Sequence, residues 1–77
     1  MKRAVALRYD EDTGGAPFVL AGGDGDLANR IEREALAWGI PIVRDVPLAE
    51  ALSNLEVGEE IPEALYEAVA SILRELV

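Results

Sequence analysis

Glycine and proline punctuate this sequence so closely that no element within it can run far. "GGDGD" at residues 22–26, then Gly39, Pro41, Pro47, Gly58 and Pro62, divide the chain into short segments. A glycine just past a helix ends it, a proline at a first helical turn opens one, and a proline cannot donate to a strand ladder. Between these marks the apolar period decides the type of each element. "AVALRY", residues 4–9, reads as a strand. It is apolar on both parities up to Arg8, which suits a strand covered on both faces. "DEDTGG" follows as a polar turn, and "PFVLAG", residues 17–22, reads as a second strand with Pro17 at its start or at a sheet edge. The short connection makes the two an antiparallel hairpin.

Beyond "GGDGD" the period changes to that of a helix. Leu27, Ile31, Ala35 and Trp38 recur at helical spacing, predicting a helix over 26–38 with these four as its buried stripe. A substantially buried Trp38 would cost roughly 3–5 kcal/mol on truncation to alanine. "IPIVR", residues 40–44, is expected as a third strand, parallel to the second because a helical crossover joins them. Pro47 opens a short helix with Leu48, Ala51, Leu52 and Leu55 inward. Pro62 opens the last, over 62–76, with Leu65, Val69, Ile72, Leu73 and Leu76 as its apolar face. The expected fold class is α/β: a small mixed sheet of about three strands, a β-hairpin then helix and parallel strand, flanked by helices and ending in a C-terminal helix. All of residues 1–77 belong to a single domain.

Composition narrows the chemistry. The chain has 77 residues, no cysteine and no histidine. Disulfides, thiolate metal sites, a cysteine nucleophile and the usual neutral-pH base are therefore excluded. Ser53, Ser71 and Thr13 have no histidine to activate them. A net charge of −8 is poorly suited to phosphate backbones and to anionic membranes. No apolar run approaches the ~20 residues of a membrane span, and no signal peptide is visible. These features point to a cytoplasmic protein that neither binds nucleic acid nor inserts into a membrane.

Three stretches invite a functional reading. "GGDGD" could cradle a phosphate before a helix or offer Asp24 and Asp26 to a cation. It matches neither the Walker nor the dinucleotide pattern, and the plainer reading is a turn with a helix cap. Glu59 and Glu60 are adjacent on a loop, where a solvated pair is the plainer reading. Ala16 and Pro17 on the second strand, with Ala70 and Leu73 on the last helix, are small or apolar residues able to leave a shallow peptide groove, or simply to pack.

A resemblance is carried by "VALRYD" at 5–10, "AP" at 16–17, "IEREALAWGIPIV" at 31–43, "PLAEAL" at 47–52 and "EVGEEIPEALYEAVASIL" at 56–73, in this order and spacing. The run resembles the C-terminal cytoplasmic domain of the FlhB and YscU family of type III export switch proteins, over nearly the whole chain. Members of that family carry an N-terminal membrane domain, a linker and an Asn-Pro-Thr-His loop that cuts itself before the proline. The chain begins near that cut, as a stand-alone homologue or an excised domain would. Asn29 and Asn54 are the only asparagines and neither precedes a proline, so no such site exists here. Gly22 stands where members commonly have a lysine, and the stretch at 53–55 is about one residue short.

The resemblance implies a four-stranded family sheet whose fourth strand lies upstream of the cut, leaving three or fewer strands here and one open edge. It implies a non-enzymatic module with no cofactor and no metal. Its partners would be export apparatus components or early export substrates, docked on Ala16, Pro17, Ala70 and Leu73. Self-association through the open sheet edge is a further expectation. The alternative reading is a small-molecule- or ion-binding domain using loop 22–26.

Overall fold

The computed structural model describes residues 1–10, 12 and 15–76. The turn expected at "DEDTGG" lies largely outside them, as does Thr13. Asp12 donates its N–H to the Asp10 carboxylate at 3.1 Å.

The hairpin forms as expected. β1 (Arg3–Arg8) pairs antiparallel with β2 (Phe18–Asp24), from Arg3 opposite Asp24 to Arg8 opposite Phe18. The register slips between Ala6 and Leu7, where Leu20 is the extra residue of a bulge. Pro17 lies just before β2, and its carbonyl accepts from the Ile61 N–H at 2.9 Å. Val19 donates to Glu59 O at 2.9 Å and accepts from the Gly58 N–H at 2.7 Å, and Phe18 forms a bridge with Glu60. Residues 58–61 thus close the outer edge of β2 at its start, over Phe18 and Val19.

Gly25 turns the chain from β2 into α1 (Asp26–Ala37) at φ 58, a left-handed conformation that glycine adopts without strain. Gly25 is also the N-cap, and no side chain caps this helix. The expected aspartate cap is therefore replaced: Asp24 belongs to β2 and pairs with Arg3 at 3.3 Å, while Asp26 favours the helix dipole from the first turn.

α1 packs across both strands, but its buried face differs from the expected stripe. Ala28 is 0% exposed, Ile31 and Ala35 are half-buried, Leu27 is exposed, and Trp38 is 81% exposed. The strands present Ala4, Ala6, Ala21 and Gly23 on one face, where Gly23 lies against Leu27, so the helix comes close with its small residues. It ends at Ala37, and Gly39 (φ 69) turns the chain away before the indole can reach the sheet.

The sheet has two strands, and the expected third at 40–44 does not form. A strand needs a ladder partner. The start of β2's outer edge is taken by 58–61, and no backbone group among the described residues pairs with the N–H of Ile42, Val43 or Arg44.

α2 (Val46–Leu52) begins where Asp45 caps it, accepting from the Leu48 N–H at 3.1 Å, with Pro47 in the first turn. The last helix is shorter than expected. A 3₁₀ turn (Glu63–Leu65) follows Pro62, then α3 (Tyr66–Glu75) begins, and Leu76 is exposed past its end. Leu52, Ile61 and Val69 form the buried centre, with Val5, Leu7, Ala16, Leu48, Leu55, Leu65 and Leu73 packed on it. Among the described residues no helix is long and apolar enough to cross a membrane.

Candidate functional site

Ala16 and Pro17 lead into β2, while Ala70 and Leu73 lie one helical turn apart on α3. The fold brings all four to one open cleft of about 480 Å³. The fastening of residues 58–61 to the start of β2 accomplishes this, because it fixes the loop that launches α3. Ile61 and Val69, both buried, floor the cleft, and Tyr9 and Tyr66 stand half-exposed at its walls. Ala16 and Leu73 also touch the core, so they shape the cleft and support the fold together. Arg74 lines the cleft and pairs with Glu67 at 2.9 Å, which sets an exposed ion pair beside the apolar trough. Ala70 leaves the trough open where a larger side chain would fill it.

Sequence reasoning missed Tyr9, Tyr66, Val69 and Arg74 as lining residues. Tyr66, Val69, Ala70 and Leu73 share one helical face by their spacing of three and four, which was available as a signal. Tyr9, at the end of the hairpin's first arm, gave none.

Loop 22–26 does not come together as a ligand loop. Gly22, Gly23 and Asp24 are strand residues, and Asp24 is engaged by Arg3. With Ser53 and Asn54 they edge a second, more polar cleft of about 320 Å³. There Ser53 Oγ donates to Glu50 O at 2.7 Å, and Asn54 lies against the same carbonyl. Glu59 does not converge with Glu60: its carboxylate accepts the Glu56 N–H at 3.0 Å. Among the described residues no group of acidic side chains is placed to hold a metal ion.

One carboxylate is electrostatically distinct. Glu32 on α1 receives Lys2 Nζ at 2.6 Å and Arg44 at 3.2 Å. The Lys2 hydrogen bond, helped by the charges of Lys2 and Arg44, holds its pKa below the ordinary 4.5. Lys2 also donates to Asn29 Oδ1 at 2.7 Å. The cluster ties the head of β1, the middle of α1 and the segment before α2 together.

The family model described as the FlhB HrpN YscU SpaS Family matches residues 1–76. The chain belongs to that family. The FlhB/YscU resemblance seen in the sequence motifs is thereby established. Among relatives, the protein YlqH of Bacillus subtilis (strain 168) is 49% identical over 72 residues, which is 94% of this chain and 77% of YlqH. The PscU C-terminal domain superposes with a TM-score of 0.91 at 36% identity, over 97% of this chain and 96% of that one. The cytoplasmic domain of FlhB from Shewanella putrefaciens superposes with a TM-score of 0.90 at 40% identity, over 95% of this chain and 60% of that one. The chain spans about a fifth of the curated HrcU and FlhB relatives it matches, 20% and 18% of their lengths.

Proposed function

We propose that this domain is a non-enzymatic binding module of a type III export apparatus. It acts on the cytoplasmic side and recognises a short apolar segment of an export substrate or export component in the cleft between the start of β2 and α3. The observation that carries this reading is the convergence of Ala16 and Pro17 with Ala70 and Leu73 on one apolar trough. Kinship with the FlhB and YscU proteins supplies the export context. The net charge of −8 favours protein partners over nucleic acid. A trough this small buries little of its ligand, so affinity falls on the order of micromolar to millimolar.

The test is NMR titration with peptides from early export substrates. Shifts are expected at residues 16–17 and 70–73. Ala70→Phe fills the trough and abolishes them, while circular dichroism shows the fold intact. Shifts confined to residues 22–26 and 53–54 instead would overturn the groove and move the function to a small-molecule site in the second cleft.

A further inference from the structure

The hairpin sorts the charges of this chain onto two faces. Alternate residues of a strand point to opposite sides. Ala4 pairs with Gly23 on the face that α1 covers, and Ala6 and Arg8 share that face by parity. Val5 and Leu7 point the other way and pack on the buried centre. Lys2 and Arg44 both reach Glu32 on α1, and Arg30 and Arg33 belong to α1 itself. Five of the seven cations, Lys2, Arg8, Arg30, Arg33 and Arg44, are therefore on the α1 side. Arg3 is held by Asp24 at the far end of β1, roughly 20 Å from Tyr9. The cleft of Ala16, Pro17, Ala70 and Leu73 keeps Arg74 alone, and Glu67 already neutralises it at 2.9 Å.

The surroundings of that cleft are acidic. Residues 45–77 hold eight carboxylates and one cation. Four residues that line the cleft have an acidic neighbour in sequence: Asp10 follows Tyr9, Glu60 precedes Ile61, Glu67 follows Tyr66 and Glu75 follows Arg74. Glu63 lies one turn before Tyr66. Consecutive Cα atoms are ~3.8 Å apart, so these carboxylates fall within about one Debye length, ~10 Å at 0.1 M salt, of the trough. Glu60, Glu63 and Glu75 are exposed and hold no ion pair among the described residues. An incoming carboxylate must displace Glu67 from Arg74 and meet the remaining acids, whereas an incoming ammonium displaces nothing.

We infer that the cleft selects a segment whose short apolar core is flanked by lysine or arginine, and rejects the same core flanked by acid. The inference rests on the peptide reading of the cleft and names the class of peptide. The apolar core lies in the trough over Val69 and Ala70, and the basic flanks lie along Glu60, Glu63 and Glu67 at its rim. Charges at an exposed rim act on encounter and on the choice between partners more than on the strength of the contact itself, and salt screens them. The apolar core therefore sets whether a segment binds, and the flanks set which one.

The experiment is NMR titration of the full chain with three designed peptides, acetylated and amidated at their ends. They share the core Leu-Ala-Val-Leu and carry two Lys, two Gln or two Glu residues on each flank. Titrations run at about 0.01 M salt, where the Debye length is ~30 Å, and at about 1 M, where it is ~3 Å. Shifts are expected at residues 16–17 and 70–73. At low salt the Lys-flanked peptide binds about tenfold or more tighter than the Glu-flanked one, and the difference closes at high salt. Two double variants separate position from total charge. Glu63→Gln with Glu67→Gln weakens the Lys-flanked peptide by about threefold or more, whereas Asp26→Asn with Glu34→Gln, an equal change of charge on α1, leaves it within about twofold. The Gln-flanked peptide keeps its affinity for both, which shows the cleft still formed. Equal affinity of the three peptides, a Lys-to-Glu difference that survives high salt, or equal losses in the two variants would overturn the basic class and leave the cleft standing. Absence of shifts at 16–17 and 70–73 with every peptide would overturn the cleft and this inference together.

Discussion

An indole left 81% exposed changes what its removal does. Trp38→Ala is expected to shift stability by less than about 0.5 kcal/mol, as a surface substitution does. Leu52→Ala, in the buried centre with Ile61 and Val69, is expected to cost roughly 2–5 kcal/mol. Urea titrations of the two variants check the pair, and a larger loss at Trp38 than at Leu52 would mean that α1 is rotated. Glu32 gives a second residue-scale prediction. Its pKa is lowered in the folded chain, first by the Lys2 hydrogen bond. Its contribution is therefore complete above the ordinary 4.5 and fades as pH falls through the lowered folded value. Wild type is expected to melt above Glu32→Gln at neutral pH, with the gap closing below pH 4.5. A gap that grows with acid would contradict the assignment.

At the scale of elements, Asp45 carries the start of α2 through one side-chain bond to the Leu48 amide. Asp45→Ala is expected to cost about 0.5–2 kcal/mol, with Asp45→Asn recovering most of it, measured by thermal melts. Elements set by local signals were legible in the sequence. The hairpin, the start of α1 after Gly25 and the proline-opened α2 lie close to where period and punctuation put them. What failed depended on distant neighbours. The face of α1 is chosen by the alanines and glycines of the strands it lies on, which its own spacing does not record. The run 40–44 has a strand's composition, but strand is a relation between two segments, and this one has no ladder partner among the described residues. The cleft was legible only in part. Ala16 and Ala70 are far apart in sequence and meet because 58–61 staple α3's approach to β2. Family resemblance could propose that meeting, and spacing alone could not.

For the whole molecule, the Cα radius of gyration is 11.9 Å, against roughly 11.5 Å for a compact domain of this length. The chain is therefore nearly as compact as a domain of its length, while Ile40, Ile42 and Val43 stay exposed. It also contains no Asn-Pro bond. On prolonged incubation at mild pH it is expected to remain a single species of 8.3 kDa by intact mass spectrometry, and a discrete fragment arising without protease would refute this. The seal that residues 58–61 place on β2 has a consequence for assembly. Open sheets polymerise when each molecule offers an acceptor edge and a donor edge, since every addition then regenerates a sticky end. Here the far side of β2 is already occupied at Pro17–Val19, so a strand adding there must first displace residues 58–61, and docking along β1 is the easier event.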